Sequence, residues 1–234
     1  MPLFKNDDKN WVNFIHIPKT GGTSVEYMLS DDYDMMLFSK NDRVLNVTPQ
    51  HLDKEKINIL GLDKLGPLSF CIVRNPIERF ISEYKYRMSI GARHYKVLDV
   101  NSFLDISIQR YNKNPNVFDN HIRPQVDFLL EHTKVYKFES ELSNIASVLS
   151  EEFQFSNVKN ISHEKKSKSR SLNLSNESIH KLKEFYKKDF ETFNYDASSL
   201  KYNNNPESKV ETKIRVIVFE VLDVFYRIRK YIKR

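Results

Sequence analysis

Residues 16–24, HIPKTGGTS, set a lysine, two adjacent glycines and three hydroxyls between an apolar run and an amphipathic one. The run before them, VNFIHI, reads as a strand, and VEYML after them as the first turns of a helix. Strand, glycine turn and helix start together gather unpaired backbone N–H groups around an anion. Glycines let the backbone approach a bulky ligand with no Cβ in the way. Lys19 adds a charge, and Thr20, Thr23 and Ser24 add donors. The chemistry on offer is the gripping of a phosphate-like group. A second stretch, VRNPIERFISEYKYR at 73–87, puts Arg74 between an apolar run and the helix start Asn75-Pro76, with Ser82 about two helical turns on. A guanidinium at a strand end suits bidentate contact with a second anion. The competing partner is Glu78, which would make an ordinary i, i+4 ion pair with Arg74.

These groups need a scaffold, and the apolar pattern supplies one. Residues 12–17, 68–73 and 134–138 read as strands. Helices are expected at 23–30, from Pro76 onward, over a short stretch at 123–131, at 141–149, and beyond a cap at Ser175. The helix from Pro76 buries Ile77, Phe80, Ile81, Tyr84 and Met88, and the one from Ser175 buries Ile179, Leu182, Phe185 and Tyr186. The polar, basic stretch KNISHEKKSKSR reads as a loop. Strands alternating with helices give an α/β domain with a mostly parallel sheet, residues 1–202. The breaker cluster Asn203-Asn204-Asn205-Pro206 then leads, within 203–234, to a basic amphipathic helix with apolar residues at 210, 214, 217, 218, 221, 225, 228 and 232.

Composition narrows the classes. A chain of 234 residues, 40% hydrophobic and 29% charged, is long enough for one well-buried domain and too apolar for wholesale disorder. The net charge of +6 suits an anionic ligand, a nucleic acid or a membrane surface. No apolar run approaches the roughly 18 residues of a spanning helix, and the start MPLFKNDDKNW has no signal-like core. The single cysteine, Cys71, lies in LSFCIVRN and is expected to be a buried, inert thiol. A reducing, cytoplasmic setting is the expectation. The histidines show neither HxH nor HExxH spacing, so no metal site is expected.

Taken together, HIPKTGGTS and VRNPIERFISEYKYR resemble the carbohydrate sulfotransferases of the heparan-sulfate 2-O-sulfotransferase-like superfamily, sulfotransferase family 2. The resemblance continues through HIRPQVDFLL, KVYKFE and LSNESIHKLKEFYKKDFETFNYD, covering most of residues 11–196. It implies a P-loop-like three-layer fold, a central mostly parallel sheet flanked by helices. The implied donor is 3′-phosphoadenosine 5′-phosphosulfate (PAPS), the implied acceptor a saccharide hydroxyl, and the product adenosine 3′,5′-bisphosphate. Lys19, Thr20, Gly21, Gly22, Thr23 and Ser24 would hold the 5′-phosphosulfate, with Lys19 also stabilising charge on the leaving oxygen; Arg74 and Ser82 would hold the 3′-phosphate. His51, in VTPQHLDKEK, falls where the family carries a histidine base. Some relatives have a second histidine where this chain has Pro49; Asp53 is the first substitute to consider. No metal is required, since a sulfuryl group carries less charge than a phosphoryl group.

Other residues leave two readings open. His16 reads as a hydrogen-bonded core histidine ahead of a catalytic one, and His121 as a donor or acceptor contact or a packing residue. Lys166 and Arg170, in the basic loop, either recognise an anionic acceptor or are simply solvated. The tail helix would lie on an anionic bilayer, pack on the domain, or pair with another subunit. Two other classes compete. A P-loop kinase is weakened because Lys19 precedes the glycines instead of following them. A nucleic-acid-binding domain would use Tyr84, Tyr86 and Tyr95 for stacking, but these share a stretch with an apolar helix face. The acceptor expected from a cytoplasmic setting is a capsular, lipid-linked or other surface-glycan precursor.

Overall fold

The computed structural model describes residues 1–39, 41–66, 68–159, 174–196 and 209–232. Its strands are β1 (Leu3–Lys5), β2 (Trp11–Ile15), β3 (Met35–Met36), β4 (Leu68–Val73) and β5 (Lys134–Lys137), in the sheet order β3-β1-β2-β4-β5. The expected mostly parallel sheet is mixed. β2, β4 and β5 are parallel, whereas β1 is antiparallel to both β2 and β3. The cause is the short connection from β1 to β2, closed by the Asn6 N–H donating to Asn10 O at 2.9 Å. A link that tight only joins antiparallel neighbours, while parallel ones need a long crossover. β1 lies in the segment MPLFK, which carries no strand in the sequence reading.

Period-two alternation in β2 and β4 feeds two cores. Val12, Phe14, Phe70 and Ile72 share a cluster with Val25, Met28 and Leu29 of α1 (Gly22–Leu29). On the other face Ile15, Cys71 and Val73 cluster with Ile57 of α2 (Lys54–Ile59) and with Phe128. Cys71 is fully buried, which pushes its thiol pKa up and matches an inert packing role. A third cluster joins α3 (Pro76–Ile90) to α4 (Val100–Lys113). α3 starts as expected, Asn75 accepting from the Ile77 and Glu78 N–H groups. α4 and α2 have no counterpart in the sequence reading, although Asp99 and Ser102 form a capping box ahead of α4.

The expected helix at 141–149 is α5 (Phe138–Glu141) and α6 (Ile145–Phe153), separated by a 3-10 turn. The expected one at 123–131 shrinks to a 3-10 turn, Gln125–Phe128, whose first N–H groups, of Gln125 and Val126, donate to the buried Asp189 carboxylate at 2.9 and 3.0 Å. Then come α7 (Asn176–Phe185), with Ser175 accepting from Ser178 N–H, α8 (Lys187–Thr192), and α9 (Lys209–Ile232). α9 packs on α4 and on the turn Arg93–Val97 through the fully buried Phe219. Asp223 locks that contact, reaching Arg110 at 2.6 Å and His94 at 3.0 Å. Among the described residues no helix is long and apolar enough to cross a membrane.

Candidate active site

β2 and β4 run side by side in parallel, so the residues leaving their carboxyl ends emerge together. They open into a cleft of about 1070 Å³ lined by Lys19, Gly21, Gly22, Thr23, Arg74, Ser82 and others from the turns around them. The structure therefore brings both anion-binding candidates to one cavity, although Lys19 and Arg74 are 55 positions apart in the sequence (74 minus 19).

The first candidate is a turn with a left-handed backbone at Lys19 (φ 70°) and Gly21 (φ 91°), after which α1 begins. Thr20 holds the turn shut: its buried hydroxyl donates to Ile17 O at 2.8 Å and does not line the cleft. Ser24 is likewise absent from the lining, whereas Thr23 is present. Gly22 has no room for a side chain, since a Cβ there would sit 2.3 Å from the His16 ring. That ring is held in place by the buried Glu26 carboxylate, which accepts from its Nδ1 at 2.5 Å and from Gln50 Nε2 at 2.5 Å. Gly22→Ala is expected to cost about 2 kcal/mol of stability, in the overpacking range, measured as a lowered urea midpoint with an unchanged slope. Lys19 reaches across the cleft, its Nζ 4.1 Å from the centroid of the Tyr86 ring. Burial lowers its pKa, partly offset by Glu83.

Arg74 meets the expected Glu78 and an aromatic ring that the sequence reading did not include. Its guanidinium lies 4.5 Å from the Phe138 ring centroid and makes a long 3.8 Å contact with Glu78. Its Nε is buried with no hydrogen-bond partner among the described residues. A buried guanidinium donor left unsatisfied is costly, and an anion in the cleft would satisfy it. Ser82, on α3 just beyond Arg74, also lines the cleft.

Three histidines in a row line the same cleft. The ring centroids of His16 and His51 are 5.1 Å apart, and those of His51 and His121 are 4.9 Å apart, each pair nearly perpendicular. Each Nδ1 sits on a buried or half-buried carboxylate: Glu26 at 2.5 Å, Asp119 at 2.8 Å and Glu83 at 2.7 Å, respectively. An ionised carboxylate only accepts, so Nδ1 carries the proton and Nε2 keeps its lone pair. Burial, aided by the two neighbouring histidines and opposed by Asp119, pushes the His51 pKa down to about 3. Asp119 is fixed in turn by the Thr48 N–H and hydroxyl, both at 2.7 Å, and by Arg43 at 2.6 Å. Burial works to raise its pKa, but His51 and Thr48 hold it well below the usual range. Glu83 is also held low, with His121 and Arg87 outweighing the effect of burial.

Asp53 does not stand in for His51. It is 1% exposed, caps α2 through Lys56 N–H, pairs with Lys56 Nζ at 2.5 Å and does not line the cleft. Its surroundings make it a structural carboxylate. His16 is buried and hydrogen-bonded as expected, yet it also lines the cleft. Lys166 and Arg170 lie outside the described residues. Asp119 has no place in the sequence reading, and Tyr86 enters it only as a stacking residue for nucleic acid. Asp119 is brought to His51 by a loop whose backbone is left-handed at Phe118, Asp119 and Asn120. No local spacing announces that approach. Tyr86 sits in a legible helix, but its partners Lys19 and His121 come from elsewhere. His51, Asp119 and His121 also offer donor atoms within 4.8 Å of one another, a possible cation grouping that the sequence spacing hides. Asp119 is already committed to His51, Thr48 and Arg43, which favours an orienting role.

The family model described as the sulfotransferase family matches residues 2–196, spanning every residue of the cleft and stopping before α9. The chain belongs to the sulfotransferase family, and its class is that of enzymes that transfer a sulfuryl group. A search of the curated proteins found no match.

Proposed function

We propose that the chain transfers the sulfuryl group of PAPS to a saccharide hydroxyl, in the manner of the heparan-sulfate 2-O-sulfotransferase-like branch, on a P-loop-like scaffold. The observation that carries this is that two separate candidate anion-binding groups and a row of three histidines line one cleft. The donor has anionic groups at two ends of a ribose and supplies the activated sulfuryl group. The left-handed turn at Lys19–Gly21 and the Thr23 hydroxyl suit the phosphosulfate. Arg74, with its unsatisfied Nε, and Ser82 suit the 3′-phosphate.

Three residues then divide the work. Lys19 offers an ammonium to the oxygen that gains charge as the sulfuryl group leaves. His51 takes the acceptor's proton on Nε2, the nitrogen left when Nδ1 is held by Asp119. Asp119 fixes the tautomer and stabilises the imidazolium that forms. His121, beside His51, is placed to touch the acceptor. The setting we propose is cytoplasmic.

The test is incubation with donor carrying ³⁵S-labelled sulfate and a panel of neutral and acidic oligosaccharides. Label is expected in a saccharide, with release of one adenosine 3′,5′-bisphosphate per transfer. Phosphate transfer from ATP with magnesium, and no movement of sulfate, would replace this reading with the kinase one.

A further inference from the structure

We propose that α9 is a dimerisation element that pairs antiparallel with α9 of a second copy of this chain. The residues that dock α9 on its own domain, Val216, Phe219 and Asp223, occupy one side of the helix. The opposite side is a strict seam. Ile214, Ile217, Val221, Val224, Ile228 and Tyr231 follow one another in alternating steps of three and four, and each is 50–82% exposed. Steps of three and four are the heptad a and d positions, and five of these six residues are β-branched. Phe219 falls at the outermost heptad position, so docking to the domain and pairing through the seam do not compete. Val218 and Phe225 widen the seam on one flank, at 41% and 66% exposure.

The size of the face also fits. The eight side chains together present on the order of 800 Å² of apolar surface, beyond the few hundred Å² of an ordinary monomer patch and near the ~800 Å² per partner of a standard interface.

Charge sets the direction. Glu220 and Arg227 border the seam on its other flank, one heptad apart. In a parallel pair these positions would face Phe225 and Ile232 of the partner helix, where they gain nothing. In an antiparallel pair centred between residues 222 and 223, Glu220 faces Arg227 of the second copy, and this occurs twice by symmetry. The same register sets Val221 on Val224, Ile217 on Ile228, and Val218 against Phe225. Arg227 is 69% exposed and touches Asp223 through Nη2 at 2.8 Å, which leaves its outer edge approachable by a second carboxylate. A face meant for an anionic bilayer needs no three-four seam and gains nothing from a glutamate on its border.

Sedimentation equilibrium of the full chain from 1 to 100 μM tests the proposal, with near-UV circular dichroism to check the fold of each variant. A dimer of twice 27.8 kDa is expected. Val221→Glu should make it monomeric throughout. Glu220→Arg should weaken the dimer at least about tenfold, and the double exchange Glu220→Arg/Arg227→Glu should restore it. A monomer at 100 μM overturns the proposal, including one that pellets with phosphatidylserine vesicles. So does a dimer indifferent to Val221→Glu, or a double exchange that fails to rescue.

Discussion

Lys19→Ala is expected to lower kcat about 10²- to 10³-fold, the loss typical of removing one preorganised charge from a transition state, while the affinity for adenosine 3′,5′-bisphosphate falls less than tenfold. The asymmetry follows from where the ammonium sits. Lys19 Nζ lies over the Tyr86 ring at 4.1 Å, half-buried in a cleft that excludes part of the solvent. A charge in such a place interacts more strongly with a developing anion than it would in water. On the proposed reading the product's phosphates would keep the backbone N–H groups of the turn and Arg74, so product binding should lose less. The backbone does not confound the result. Lys19 has φ 70°, a strain that alanine bears to the same degree because it also carries a Cβ. Equal losses in turnover and product binding would mean that Lys19 binds the ground state and does no more.

His51→Ala is expected to cut kcat by about 10²-fold or more, in the range for loss of a general base, with donor binding intact. Asp119→Asn should fall nearly as far although His51 remains. An amide can donate to Nδ1, which favours the tautomer with its proton on Nε2 and removes the lone pair that accepts the hydroxyl proton. The pH dependence separates this account from a packing role. With the His51 pKa at about 3, the imidazole is already neutral at pH 6, so the acid limb of kcat/KM should lie well below the ordinary histidine value of 6.5. Stability carries the same signature. A histidine whose folded pKa lies below its unfolded 6.5 contributes fully above 6.5 and loses that contribution as pH falls toward 3. His51→Ala should therefore flatten the stability–pH curve in that window. An unchanged acid limb and full activity in Asp119→Asn would remove Asp119 from the mechanism.

What the sequence discloses here is local, and what it conceals is not. The apolar run 68–73 is β4 to the residue, because a buried strand bounded by Asn75-Pro76 needs no distant information. HIPKTGGTS shows its turn through its own glycines. β1 is three residues long and gains its identity from pairing with β2, so no periodicity could display it. The helical stripe in the tail is legible, but its direction is not. Residues 214, 217, 221 and 228 face away from the domain, and the docking falls to Phe219, which lies off that stripe. The histidine row was the hardest to see. Its carboxylates come from α1, from the loop before His121 and from α3, so each His–carboxylate pair is a product of the tertiary fold.

A cleft built for two anionic groups joined by a ribose should reveal itself in thermal unfolding of the full chain with adenosine 3′,5′-bisphosphate, 5′-AMP, or ATP with magnesium. At 100 times its dissociation constant a ligand adds about 2.7 kcal/mol, a shift of several degrees. The bisphosphate is expected to stabilise the wild-type chain far more than 5′-AMP does, and Arg74→Ala should erase that difference. Stabilisation by ATP with magnesium and none by the bisphosphate would mean that the cleft is not a site for the sulfuryl donor.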